Sequence, residues 1–256
     1  MRKEALLLLT PVVLTLTGCT GDISLSGQKD QLVQRTVTEA QVVIFPDDNP
    51  SIPDGKKVWD KMNCAQCHSA TGAPVAGKAS IDLSSAKYNG KQKPLDQFKF
   101  LAFGKEGVQH PTLKEKLTRR ELWDLVFYVR SLAVPALTDA EFEKIDPVFG
   151  SNCAVCHGKR GHGDGPLAKN LEPIPANFHQ FNRFYDRTDD VLWDHIAHGI
   201  KWEGMPDFLD KTDRAKNVKF DEAYIRNLVR YVRRFHSSDK PSAPMEISAV
   251  PAARLE

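Results

Sequence analysis

Cys64-Ala65-Gln66-Cys67-His68 and Cys153-Ala154-Val155-Cys156-His157 are two copies of one pattern, C-x-x-C-H, set 89 residues apart. Two thiols three residues apart on one helical turn can each form a thioether to a haem vinyl group, and the imidazole that follows is carried beneath the iron as its proximal ligand. The pattern predicts two covalently bound haem c groups, one at Cys64 and Cys67 with His68 on the iron, the other at Cys153 and Cys156 with His157. A four-cysteine zinc site gives no reason for histidine to follow both pairs, and a thioredoxin-like redox pair needs a βαβ setting absent from this sequence.

The motif is part of a longer internal repeat. Gly104 to His110-Pro111 aligns without gaps onto Gly199 to Met205-Pro206, and Leu125-Val126-Phe127-Tyr128-Val129-Arg130 aligns onto Leu228-Val229-Arg230-Tyr231-Val232-Arg233. Helices follow from local signals. Thr118 and Glu121 form a capping box, after which Leu122, Leu125, Val126, Val129 and Leu132 recur at helical spacing. Ile225, Leu228, Val229, Val232 and Phe235 repeat that stripe. A second capping box stands at Thr138 to Glu141, and Asp146-Pro147 reads as the start of the helix leading to Cys153.

Among 256 residues, 41% are hydrophobic and 27% charged, which excludes a multi-span membrane protein, a collagen-like chain and a wholly disordered one. The net charge of +2 carries no basic excess for nucleic acid. Residues 51–132 nevertheless hold 14 Lys/Arg against 8 Asp/Glu, a surplus that either steers an acidic redox partner or is simply a solvated face.

With these segments in place, each half resembles a class I cytochrome c domain, specifically so in the second half through Cys156-His157-Gly158, Gly161 to Pro166, Pro173 to Phe178 and Gly204-Met205-Pro206. The resemblance implies an all-α fold of two tandem domains at 52–134 and 138–237, each wrapped around its haem. It also implies Met205 as the distal ligand of the second haem. The first half departs from the pattern. Its only methionine, Met62, stands two residues before Cys64, while the repeat places His110 where Met205 lies and no other histidine stands between His68 and His157. His110 is therefore the expected distal ligand of the first haem. A second imidazole favours ferric iron relative to a thioether, so the first centre is expected to have the lower potential. Among other side chains, Trp59, Trp123, Trp193 and Trp202 read as haem-packing core, His195 and His198 as packing beside the haem, and His162, His179 and His236 as loop or surface residues.

The N-terminus resembles that of a bacterial lipoprotein. Arg2 and Lys3 precede an apolar run at Leu6 to Leu16, too short to span a bilayer, and Leu16-Thr17-Gly18-Cys19 resembles a lipobox. The expectations are a signal peptide at 1–18, a lipid on Cys19, a polar tether at 19–51 and a disordered tail at 238–256. Such a chain would sit in the bacterial cell envelope facing the periplasm, with the outer membrane slightly favoured. Lipid takes one cysteine and haem four, leaving none of the five for a disulfide.

The functional expectation is an electron carrier with redox-protein partners and no small-molecule substrate, either a shuttle or a subunit of a respiratory oxidoreductase. The alternative is a di-haem enzyme, peroxidase-like or sulfur-compound-oxidising, with a labile distal ligand on the first haem. Replacing Cys153 and Cys156 together by alanine should halve the haem absorbance that stays with the denatured chain. Full retention would refute attachment there.

Overall fold

The computed structural model describes residues 45–242. The expected signal peptide, Cys19, residues 19–44 of the tether and the tail from 243 onward lie outside the described residues.

In the first half, Ser51 opens α1 (Ile52–Lys61). Its hydroxyl accepts from the Asp54 N–H at 3.1 Å, and Pro53 sits in the first turn, where a helix has no use for its missing N–H. One turn, α2 (Ala65–His68), carries the first C-x-x-C-H; α3 (Ala86–Gly90) and α4 (Pro94–Phe103) follow, and α5 (Arg119–Ala133) closes the half. α5 begins at the expected capping box, with the Thr118 N–H donating to Glu121 Oε2 at 2.8 Å and the Glu121 N–H to Thr118 Oγ1 at 3.2 Å. Leu122, Leu125, Val126 and Val129 of its stripe are buried. α1 packs along α5, and at Gly55 the backbones meet: a Cβ there would lie 2.0 Å from the Asp124 carbonyl oxygen. Only glycine permits so close an approach.

The second half repeats this plan with α6 (Asp139–Asn152), α7 (Ala154–His157) carrying the second motif, α8 (Phe181–Phe184), α9 (Asp189–His198) and α10 (Glu222–Arg233). The sole strands among the described residues are β1 (Thr212–Asp213) and β2 (Val218–Lys219), paired antiparallel. α6 meets α10 through Phe149 stacked on Tyr231, with ring centroids 4.5 Å apart. Pro147 does not start a helix, contrary to the sequence expectation. α6 runs unbroken from the Thr138–Glu141 box with Pro147 inside it. The bond a proline forfeits is the one to the Glu143 carbonyl, on the exposed face where water can serve it, while Ile145, Val148 and Phe149 hold the helix by burial.

The two halves share a buried seam. The Leu95 N–H donates to the Tyr185 carbonyl at 2.9 Å, and Trp123, fully buried, lies between Phe98 at 4.4 Å and Tyr185 at 4.6 Å. Residues near the end of the second half return to the first: the Ile52 N–H donates to the Ser238 carbonyl at 2.9 Å, the Ser238 N–H to that of Pro50 at 2.7 Å, and the Ser242 N–H to Asp54 Oδ2 at 2.7 Å. This seam corrects two expectations. Trp123 packs between the halves and not against a haem, and His236, expected in a loop or at the surface, lies in the turn after the last helix but is completely buried beside Phe184.

Burial, and then the neighbouring Arg233 cation, hold the His236 imidazole well below its ordinary pKa, so the native protein does not take up this proton. An unfolded chain does so below about pH 6.5. Stability from this group is therefore constant above that value and falls as pH falls below it. Thermal melts should show a midpoint that declines between about pH 6.5 and 5, ahead of carboxylate titration, and declines less in His236→Gln. Equal slopes in the two proteins would refute this assignment.

Candidate functional site

Each C-x-x-C-H turn forms one wall of a cavity. In the second half, α6 ends at Asn152 and the turn α7 follows at once, so Cys153, Cys156 and His157 face one cavity of 410 Å³ whose lining also includes Met205, Arg183 and Arg187. In the first half, Cys64, Cys67 and His68 line a cavity of 1050 Å³ together with His110, Trp59 and Tyr88. The last helices of the two halves supply apolar floor through Val126 and Val129 in one cavity and Leu228 and Val232 in the other. Both volumes are of the scale that accommodates a cofactor, and each places two thiols, an imidazole and a candidate distal donor around a single space.

Cys64 and Cys153 are not poised as nucleophiles. Burial pushes Cys64 up to about 11 and Cys153 up to about 12, the reverse of the depressed pKa of a catalytic redox pair. The imidazoles are held neutral, as metal ligation requires: burial lowers His157 and His110, and burial with the adjacent His110 lowers His68.

Geometry around the imidazoles matches the haem-iron role. His157 Nδ1 lies 3.0 Å from the Ala176 carbonyl oxygen, which can hold the proton on Nδ1 and free Nε2 as a donor; the ring stacks on Phe178 at 4.6 Å. His110 Nδ1 lies 3.0 Å from the Pro111 carbonyl oxygen in the same way. The His68 and His110 ring centroids are 6.5 Å apart. A metal bonded to one nitrogen of each ring at about 2 Å, with about 1.1 Å more to each ring centre, needs about 6.2 Å. Met205 stands half-buried in a loop closed by reciprocal backbone bonds with Ile200. The residues present therefore fit a haem with histidine and methionine axial donors in the second cavity and two histidines in the first.

The halves differ on the proximal side as well. Nδ1 of His68 is buried with no hydrogen-bond partner among the described residues, whereas its counterpart His157 has the Ala176 carbonyl. Of the other candidates, His195 lines the second cavity, but His198 is exposed and pairs with Asp194 at 2.9 Å. Trp59 alone of the four tryptophans lines a cavity. Trp193 is half-buried with the Arg226 guanidinium 5.1 Å from its ring centroid, and Trp202 is 83% exposed. The sequence reading passed over Phe178, Arg183 and Arg187. Phe178 belongs to the Pro173 to Phe178 segment that carried the resemblance, but nothing local marks the two arginines.

Residues 52–133 match the family model described as Cytochrome c, and residues 140–232 match the one described as Cytochrome C oxidase, cbb3-type, subunit III. Similar curated proteins include the cbb3-type cytochrome c oxidase subunit FixP of Bradyrhizobium diazoefficiens, 29% identical over 174 residues that cover 60% of this chain and 55% of the relative. The subunit FixP of Azorhizobium caulinodans is 32% identical over 123 residues, covering 45% and 42%. The subunit CcoP of Azospirillum sp. (strain B510) is 26% identical over 193 residues, covering 68% and 61%. The chain thus spans between about two fifths and three fifths of the length of these relatives. Among solved structures, a chain of the reducing HAO-like protein complex of Kuenenia stuttgartiensis matches with a TM-score of 0.31 and 18% identity, over 75% of this chain and 99% of that one.

The loop that holds His157 gives a direct test. Gly163 has φ +74°, and a Cβ on it would lie 2.4 Å from the Pro175 carbonyl oxygen, next to the Ala176 carbonyl that His157 uses. Gly163→Ala should destabilise the protein by at least about 1 kcal/mol, seen as a lower thermal midpoint, and should perturb the spectrum of the second centre alone. A normal melt and an unchanged spectrum would count against this role for the loop.

Proposed function

We propose that this chain, a di-haem c-type cytochrome with two covalently bound haem c groups and a cytochrome c-type domain in each half, carries electrons for a membrane respiratory oxidase. Bound at these sites, each haem supplies one-electron exchange at its iron. Cys64 and Cys67 would hold the first group by thioether bonds, with His68 and His110 as donors to its iron. Cys153 and Cys156 would hold the second with His157 and Met205. Arg183 and Arg187 place cations in the second cavity where carboxylate side groups of the macrocycle can be neutralised.

The carrying observation is the spacing of His68 and His110, 6.5 Å between centroids, because it gives the first iron room for two imidazole ligands, a set that would leave it no position open to a substrate. The ligands also differ in softness. The Met205 thioether favours the ferrous state, and the His110 imidazole favours the ferric state by comparison, so the ligand pair directs electrons from the first half towards the second. The names of the relatives support the respiratory assignment, and the order of the potentials makes the second half the delivering side.

Among the described residues no helix is long and apolar enough to cross a membrane. In this reading a lipid on Cys19 supplies the tether, and the chain works on the periplasmic face of the cell envelope.

Axial spectroscopy on the holoprotein tests the ligand set. Both ferric centres should be low-spin, and a methionine-to-iron charge-transfer band should vanish in Met205→Ala and persist in His110→Ala. His110→Ala should make the first centre high-spin and able to bind carbon monoxide after reduction. In the unmodified protein a redox titration should give two unequal midpoints, the first centre lower. A high-spin first centre that turns over peroxide in the unmodified protein would overturn the carrier reading.

A further inference from the structure

One buried charge cluster belongs to neither cavity and touches the walls of both. Asp189, in the first turn of α9, lies 2.8 Å from Arg130 of α5 and 2.7 Å from Arg233 of α10. All three side chains are largely shielded, at 8%, 14% and 12% exposure for Arg130, Asp189 and Arg233. Arg130 and Arg233 are also the same position of the internal repeat, the arginine that ends Leu-Val-x-Tyr-Val-Arg in each half. Two repeat-related helices have thus converged on one carboxylate that exists in only one copy.

Each guanidinium extends to its own cavity. Arg130 Nη1 donates to the Gln92 carbonyl and to Gln97 Oε1, both at 3.0 Å, and both residues line the first cavity. Arg233 donates to the carbonyls of Phe184 at 3.0 Å and Arg187 at 2.8 Å, and both residues line the second. One hydrogen bond therefore separates each cation from the wall of a haem cavity. Two cations share one anion, and the adjacent His236 is held neutral, so the cluster keeps a net positive charge in a region where water does not screen it.

We propose that Asp189 is a positioning residue for electron transfer: as the shared counter-ion of Arg130 and Arg233, it fixes the two haem cavities relative to each other and sets the positive charge that both irons experience. This rests on the reading that both cavities hold redox-active haem. A salt bridge that only glued the halves together would have no reason to end on both cavity walls. Reduction adds an electron at each centre, so a nearby positive charge favours the reduced state, and the effect is greatest where screening is least.

The test is a redox titration of intact holoprotein, following the two centres separately by their spectra. Asp189→Asn leaves two uncompensated cations and should raise both midpoint potentials, while Asp189→Glu, which keeps the charge, should restore them towards the original values. Arg130→Gln removes a cation next to the first cavity and should lower both midpoints, the first more than the second; Arg233→Gln should show the opposite asymmetry. The arginine variants leave a neutral pair and keep the test available if Asp189→Asn does not fold. Unchanged potentials in a folded, fully low-spin Asp189→Asn, or equal shifts of both centres in the two arginine variants, would overturn the proposal. A high-spin first centre in the unmodified protein would overturn the carrier reading instead, and the two failures are distinguishable.

Discussion

Two sulfurs and an imidazole within five residues must face one space, and the rest of each half is arranged to meet that requirement. A single helical turn does it locally, which is why α2 and α7 are only four residues long. The turn must then be held by something longer, and α6 leads into it across Cys153 while α1 leads into it through the turn at residues 62–64. These in turn lean on α5 and α10, the helices with the apolar stripes, whose other task is to floor the cavities. The two crossings are solved differently: α1 meets α5 backbone to backbone at Gly55, whereas α6 meets α10 through the Phe149 and Tyr231 rings. Halves of roughly this size bury too little side chain for a large core of their own, so a covalently fixed macrocycle is the natural centre of each.

The parts legible in the sequence were those written in short-range chemistry. C-x-x-C-H states its use in five residues, and capping boxes and helical stripes state theirs in four to fourteen. The repeat then carried information from the clear half to the obscure one, bringing His110 into consideration by its alignment with Met205. What could not be read was the seam. Trp123 and a cavity-lining tryptophan look alike in sequence, because both stand at buried positions of helices. His236 looks like a residue past the end of a helix, and the Phe184 and Tyr185 rings, some fifty residues upstream, pack against it where it is buried. Pro147 misled because proline at a first turn is common, whereas here an exposed carbonyl tolerates it in mid-helix. Trp202 was misjudged because an exposed 3₁₀ turn beside Met205 and a buried one have the same composition.

The two halves share the order of their main helices and differ in chemistry. Around the second imidazole the backbone carbonyl of Ala176 stands within hydrogen-bonding distance, and outer-shell bonds of this kind orient a ligand and raise its basicity. Around the first, the corresponding nitrogen of His68 is buried without such a partner. In the proposed ligand set the distal side differs as well, imidazole against thioether. Duplication thus supplied two equivalent frames, and divergence acted on the donor atoms and their immediate neighbours while leaving helix order and the terminal arginines in place.

The contacts of Ser51 with Ser238 give the described chain the topology of a ring. The halves are joined covalently by the short stretch between α5 and α6, across the buried seam, and again by the hydrogen bonds that tie residues 50–54 to residues 238–242. A hinge at the covalent link alone cannot open the pair, because the second tie lies on the far side of the polypeptide. What looks like a linear array of two beads is, mechanically, a closed loop, fastened at the covalent link, along the seam and at the tie between Ser51 and Ser238.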